Sequence, residues 1–360
     1  MMTYKEDHIK LLPAISVVMP VYNDAAYLHQ AIDSILNQRF NEFEFIIVND
    51  GSTDHTEEII LSYNDERILY LRNEENKGCS YSRSKGMKAA RGKYIAAMDG
   101  DDISSPDRLK LQYEYLETHP EIGFLGGDLV YFFKDSWYRH RFFTDPDYIK
   151  SFSFFQNTIG SATVMMRRSE VEKHQLYYDP EYENGEDFEL FYRALMAGVK
   201  ISSINELIYY YRQSDNQLSS PHNLAPRKRN TMKYLEGKLV FLGIELAEHD
   251  FLIFNHFIND RVALSKADYE LVYHVLERIK NANNQKLIFH SHSFNAVILG
   301  QKFRLIKFYY LDNRKYSGFL AALITLVLGA RLKDLILFWN NEGKNLSRKM
   351  HRGSPPGIFL

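Results

Sequence analysis

Ala97-Met98-Asp99-Gly100-Asp101-Asp102 is the stretch on which the reading of this chain turns. Three carboxylates fall within four residues, directly after the apolar run Tyr94-Ile95-Ala96-Ala97-Met98. An apolar run that ends in acids predicts a buried strand whose C-terminal tip emerges into a crevice. Carboxylates held this close repel one another, and a hard divalent cation with oxygen ligands is the simplest relief, usually shared with a phosphate. The same residues also fit a solvated acidic turn before a helix starting near Pro106.

Working outward, Ile15-Ser16-Val17-Val18-Met19 and Phe43 to Val48 repeat the pattern of an interior parallel strand. Each ends in polar residues, Tyr22-Asn23 after the first and Asn49-Asp50-Gly51-Ser52-Thr53-Asp54 after the second. Between them Leu28, Ala31, Ile32 and Ile35 keep helical spacing behind Asp24, a candidate cap. A further helix to about Tyr63, a strand over 68–71 and a helix over about 80–90 complete the alternation. Strand and helix in this rhythm predict right-handed crossovers and a mostly parallel α/β sheet, with ligands outside the strand C-termini. Three polar tips then lie on one sheet edge.

Beyond Pro106 the pattern gives a helix to Pro120, an aromatic-rich and strand-like region over 122–155, and a strand over 159–166. A helix opens at Gly185-Glu186-Asp187 and stops at Gly198, and a last strand covers 207–211. From residue 221 the chain becomes a run of helical segments, so the division expected is a tail over 1–14, an α/β domain over 15–220 and a helical region over 221–360. Within the α/β domain, 15–105 and 106–220 read as two halves.

Composition narrows the partners. A net charge of −2 argues against a dedicated nucleic-acid binder. The single cysteine, Cys79, excludes an intrachain disulfide and fits a reducing compartment. The first thirteen residues lack the apolar core of a signal peptide, so a cytoplasmic protein is expected. Near the end, Gly318 to Ala330 carries no charge and is too short to span a bilayer, and its surroundings are basic. That combination suits an anionic membrane surface on the inner face of the plasma membrane, or a helical bundle packed on its own domain.

The ordered blocks Val18-Met19-Pro20-Val21-Tyr22-Asn23, Val48 to Asp54, Asn76-Lys77-Gly78 with Arg83, Asp99 to Asp102, Pro106-Asp107-Arg108-Leu109, Gly185-Glu186-Asp187 and Tyr211-Arg212 resemble family 2 glycosyltransferases of the GT-A fold. The resemblance covers residues 15 to about 219. It implies an inverting transferase that moves a hexosyl or N-acetylhexosaminyl group from a nucleotide-sugar, most simply a UDP-sugar, to a glycan or glycolipid acceptor of bacterial polysaccharide or lipopolysaccharide synthesis. It assigns Pro20, Tyr22, Asp50, Arg83 and Asp99 to the nucleotide, Asp101 and Asp102 to Mn²⁺ or Mg²⁺, and Asp187, beside Glu186, to the general base. An α-linked donor would then give a β-linked product.

Each residue also has a plainer role open to it: turn packing for Tyr22, a turn cap for Asp50, a solvated helix charge for Arg83, helix capping for Glu186 and Asp187. One departure is Ser214, where related sequences often carry His two places after Tyr-Arg, which would pass its task to Asp215, to His222 or to nothing. Another is Ser84, where Asn is usual. A sugar-nucleotide pyrophosphorylase or a dehydrogenase would need a glycine-rich turn after the first strand, and Pro20-Val21-Tyr22-Asn23 stands there instead. An inactive homologue serving as a nucleotide-sugar-binding scaffold is the rival from another class, and the joint presence of Asp50, Asp101 and Asp187 weighs against it.

Overall fold

The computed structural model describes residues 12–355 except 135, 183–184, 214–223, 261–263, 312–315, 343–350 and 353–354. From Ile15 the chain alternates through β1 (Ile15–Val21), α1 (Leu28–Leu36), β2 (Phe43–Asn49), α2 (Thr56–Leu61), β3 (Ile68–Arg72), α3 (Cys79–Ala89) and β4 (Tyr94–Ala97). β1 pairs in parallel with β2 and β4, and β2 in parallel with β3. Both faces of this sheet are covered: Ile46 and Val48 enter one apolar cluster while Phe45 and Ile47 enter the other. That is why these strands read as unbroken apolar runs and not as alternating ones.

Pro20 sits in β1, an interior strand, where a proline ordinarily breaks the ladder. Its position explains the tolerance. β4 pairs with β1 only as far as Val18, so the missing N–H of Pro20 falls past the end of that partner. The proline marks where the strands diverge and the crevice opens.

The middle of the chain supplies β5 (Ile103–Ser104), α4 (Arg108–Thr118), β6 (Ile122–Phe133), β7 (Ser136–His140), α5 (Pro146–Phe152), β8 (Met165–Arg167), α6 (Arg168–His174), α7 (Glu186–Met196) and β9 (Lys200–Arg212). β8 lies antiparallel between β4 and β6, and β9 runs parallel to β6 and antiparallel to β5. The sheet is therefore α/β and mixed, parallel in its first half. The strand expected over 159–166 is shorter than its apolar pattern suggests: Ser161–Thr163 form a 3₁₀ turn, and only Met165–Arg167 pair. Conversely the last strand begins at Lys200, seven residues before its apolar stretch, because parallel pairing with β6 holds its polar half as well.

The helical remainder comprises α8 (Leu224–Phe241), α9 (Glu248–Asn259), α10 (Lys266–Lys286), α11 (Ser291–Leu311), α12 (Tyr316–Leu328) and α13 (Leu332–Glu342), followed by the short β10 (His351–Arg352) against β7. α8 to α11 share one apolar cluster with α5 and α7 of the α/β part, with Phe154 set edge-on to both Phe289 and Phe294. Lys238 of α8 is fully buried there, and its ammonium donates to the carbonyls of Ser153 and Phe154 at 2.8 and 3.4 Å. Burial alone drives its pKa well below the usual lysine value. No helix among the described residues is long and apolar enough to cross a membrane.

Candidate active site

Two loops at the rim are laced into one platform before any ligand is considered. The Asn23 amide donates to Ser52 Oγ at 3.0 Å, Asn23 Oδ1 accepts from the Thr53 amide at 2.8 Å, and the Asp24 amide donates to Thr56 Oγ1 at 2.9 Å. Tyr22, on the first of these loops, keeps 44% of its surface exposed, so its ring is available to stack. Asp50 is buried, and its carboxylate accepts from Asn73 Nδ2 at 2.6 Å and from the amides of Lys77 and Gly78 at 3.0 and 2.9 Å. A carboxylate has about four acceptor positions, so three of those at Asp50 already hold the loop leading into α3. Gly51 is required beside it. Its φ is +70°, and a Cβ there would lie 2.6 Å from the Glu75 carbonyl carbon.

One guanidinium ties three elements together. Arg83 of α3 donates to Asp99 Oδ1 at the β4 tip at 2.7 Å and to Glu186 Oε1 at the start of α7 at 2.9 Å. All three side chains are largely out of water, at 11, 21 and 13% exposure. Burial works against the Arg83 charge, but Cys79, Asp99, Tyr178 and Glu186 around it hold its proton more firmly than usual. Burial lifts the Glu186 carboxyl, Arg83 opposes that, and Asp187 adds to it, leaving Glu186 above the ordinary glutamate range. The adjoining serines of α3 grip the same segment. Ser80 Oγ donates to the Tyr182 carbonyl at 3.1 Å, and Ser84 Oγ to the Tyr178 carbonyl at 2.8 Å. Ser84 thus makes its own attachment where an asparagine was expected.

Asp187, the second residue of α7, is partly exposed. Its Oδ1 accepts from the Phe188 amide at 2.8 Å, and its Oδ2 accepts from Asn157 Nδ2 at 2.9 Å. Asn157 drew no notice in the sequence, although Gln156-Asn157 is the one polar break between the aromatic run ending at Phe155 and the apolar residues from Ile159.

The acidic turn itself is braced from below. Arg108 is fully buried, donates to the Ala97 carbonyl at 2.7 Å, and lies over the Tyr209 ring; burial lowers its pKa to about 10. Arg212, last in β9, donates its amide to Asp102 Oδ1 and its Nε to the Asp101 carbonyl, each at 2.8 Å. Asp101 is partly exposed at the rim, whereas Asp102 is fully buried with Oδ2 left without a hydrogen bond. Burial, then Asp101 and Asp99, push Asp102 well above the usual carboxylate range.

Asp24 was expected to cap a helix. Instead α1 begins at Leu28 behind Tyr27 with no side-chain cap, and Asp24 Oδ2 turns back to accept from the Tyr22 amide at 3.1 Å. It lies against the acidic turn, since a Cβ on Gly100 would come within 2.5 Å of that same oxygen. Burial raises the Asp24 carboxyl to about 7, with Asp101, Asp99 and Asp54 adding to the rise. Asp24, Asp99, Asp101 and Asp102 therefore crowd charge that a hard cation would relieve, and oxygen donors at a strand tip suit Mn²⁺ or Mg²⁺. Among the described residues no three His, Cys, Asp or Glu side chains make a complete ligand cage. Such an ion would take its remaining oxygens from a diphosphate and water, as magnesium usually does. Ser214, Asp215 and His222, weighed as a further ligand position, lie outside the described residues.

A mixed sheet flanked by helices and followed by a helical region is the architecture of the GT-A glycosyltransferases. The chain belongs to glycosyl transferase family 2, whose model matches residues 16–175. An uncharacterized glycosyltransferase of Methanocaldococcus jannaschii is 37% identical over 58% of this chain and 74% of its own. The putative teichuronic acid biosynthesis glycosyltransferase TuaG of Bacillus subtilis is 32% identical over 60% of this chain and 85% of its own. At 29% identity, over 57% of this chain and 80% of its own, stands the Escherichia coli UDP-Glc:alpha-D-GlcNAc-diphosphoundecaprenol beta-1,3-glucosyltransferase WfaP. The fold is shared with S. aureus TarS 1–349 in complex with UDP-GlcNAc, at TM-score 0.54 and 18% identity over 92% of this chain and 91% of that one. It is shared also with the mannosyltransferase PcManGT of Pyrobaculum calidifontis in complex with GDP-Man and Mn²⁺, at TM-score 0.51 and 15% identity over 89% and 87%.

Proposed function

We propose that the protein moves a hexosyl or N-acetylhexosaminyl group from a UDP-sugar to a hydroxyl of a lipid-linked glycan during bacterial surface polysaccharide synthesis, inverting the anomeric centre. The glycosyltransferase activity follows from the family; the donor and acceptor rest on what TuaG, WfaP and TarS are named for or bound to. The observation that carries the mechanism is the chain Asp99–Arg83–Glu186, which fixes the base-bearing helix against the acidic strand tip.

In this reading Tyr22 stacks on the base, and the fourth acceptor position of Asp50 receives a donor group of the base or ribose. Pro20, buried in β1, fixes the direction of the loop that carries Tyr22. Asp99, charged and oriented by Arg83, faces the ribose. Asp101 would hold a Mn²⁺ or Mg²⁺ ion from the rim, with Asp24 beside it and Asp102 shaping the turn from beneath. Such an ion supplies Lewis-acid neutralisation of charge on the departing diphosphate. Asp187, with Asn157 and the Phe188 amide holding its two oxygens, takes the proton from the acceptor hydroxyl as that oxygen attacks C1 on the face opposite the diphosphate. Glu186 stays with Arg83 and sets the position of Asp187.

The experiment is a UDP-sugar donor screen followed by mass spectrometry, with Mn²⁺ or Mg²⁺ and then with EDTA. Asp187→Asn should keep donor affinity and lose transfer; transfer at the wild-type rate would remove Asp187 as base. Absence of metal-dependent turnover with every common UDP-sugar would favour the scaffold role or another nucleotide.

A further inference from the structure

α12 and α13 present an apolar row to solvent that nothing among the described residues covers. Leu320, Ile324 and Leu328 repeat every four residues along α12; Leu332, Ile336 and Trp339 continue the rhythm along α13. Leu328 is 81% exposed and Trp339 67%. Inward-facing residues of α13 are spent differently. Leu337 and Phe338 pack on the core, with Phe338 6.0 Å from the Phe303 ring of α11, and buried Asp334 bonds His292 of the same helix at 3.2 Å. On α13 the outward row is therefore one face of a helix whose other face is seated on the core.

Exposed apolar faces of this size mark a partner, and the charge of the chain indicates which. Residues 291–360 hold eleven Lys and Arg against three Asp and Glu, out of 44 and 46 in the whole chain, so the first 290 residues are net acidic by ten. Arg331 and Lys333 are exposed at the junction of α12 and α13. Two copies meeting through this face would bring their exposed Arg331 and Lys333 together, whereas an anionic lipid surface offers the opposite charge and an apolar layer beneath it. α12 has 13 residues, about 20 Å of helix, well short of the roughly 30 Å hydrocarbon core. Such a helix lies in the interface instead of crossing it, and tryptophan is a favoured residue at that depth.

We infer that α12 and α13 dock the protein on an anionic membrane surface, the outward row entering the headgroup boundary with Arg331 and Lys333 beside it answering the lipid charge. The inference stands on these helices alone and is independent of the catalytic assignments. The test is cosedimentation of the full chain with phosphatidylcholine vesicles, with and without a third of phosphatidylglycerol, at low and high salt. Sedimentation velocity in the absence of lipid accompanies it. The expected result is salt-sensitive binding that needs phosphatidylglycerol. The Leu328→Glu/Leu332→Glu double variant, altered only at exposed positions, should bind roughly tenfold more weakly or worse while keeping its circular dichroism and donor hydrolysis. Wild-type protein that ignores both vesicle types would overturn the inference, as would a double variant that binds equally well. So would a wild-type dimer that the double variant splits, which would assign the face to a second copy.

Discussion

Replacing Arg83 with Met tests whether the three-element tie is an energetic keystone or an incidental surface pair. Methionine keeps an unbranched apolar stem against the Tyr178 ring, over which the guanidinium lies at 5.4 Å, and removes only the charge and its two hydrogen bonds. What remains is Asp99 and Glu186, both mostly buried, with Asp187 beside the latter. Removing one partner of a buried ion pair costs about 3–5 kcal/mol, because the charge left behind has neither water nor counterion. The orphaned acids have an escape, however, which is to bind protons. Glu186 already sits above the ordinary range, and without Arg83 its folded-state pKa should rise further while its unfolded value stays put. A raised folded carboxyl contributes stability that is present at low pH and lost as pH climbs through the folded pKa. The deficit should therefore be near its full size at about pH 8 and smaller at about pH 5. Urea unfolding at both values measures it, and repeating Arg83→Met in an Asp99→Asn/Glu186→Gln background should shrink the deficit to roughly 1 kcal/mol. A loss under about 1 kcal/mol at the higher pH, or an equal loss at both, would refute the argument.

Further outcomes follow from the same site. Asp24→Asn removes a carboxyl that burial and Asp101 hold up to about 7. Wild-type stability without metal should fall as pH rises from about 4 to 7, and the variant should gain roughly 2–3 kcal/mol on wild type between about pH 5 and pH 8, read by urea unfolding in EDTA. Asn157→Ala removes one hydrogen bond to a charged oxygen of Asp187, so kcat should drop roughly ten- to a hundredfold with donor KM little changed; a KM effect alone would make Asn157 a donor contact instead. Asp101→Ala should abolish the difference in donor affinity between Mn²⁺ and EDTA, measured by calorimetric titration, and an unchanged difference would move the ion elsewhere.

The parallel half of the fold was legible because each strand there is buried on both faces and each helix has one apolar stripe. Continuous and 3.6-period patterns then fall where the elements are, as Leu28, Ala31, Ile32 and Ile35 of α1 show. The second half was harder for a physical reason. β8 is held by β4 and β6 on either side and needs only three residues, and β9 draws its first half into the sheet by pairing with β6 and not by apolar content. Neither effect leaves a periodicity to read. The boundary expected at residue 221 falls outside the described residues, but the aromatic residues on both sides of it close one common core, and composition does not report which phenylalanines meet.

At the site the sequence supplied charge and order but not pairing. Asp99, Arg83 and Glu186 were picked out as separate residues, yet 103 positions separate Arg83 from Glu186, and only the fold could make them a single ionic unit. Asp24 and Asn157 were missed because their local contexts have ordinary uses, a helix start and a loop. Their roles arise from what the tertiary structure sets against them: Gly100 with its acidic neighbours for one, Asp187 for the other. Asp102 shows that adjacent acids of a motif can differ in burial. Gly100 and Asp101 form a turn that Asp102 closes, so neighbours in sequence part company, one carboxylate at the rim and the other sealed under Arg212. Acids that look interchangeable in a motif thus differ in the work open to them. An acid in contact with solvent can exchange its partner for a metal or a ribose, whereas a sealed one holds its neighbours in place, and burial decides between these roles before chemistry does.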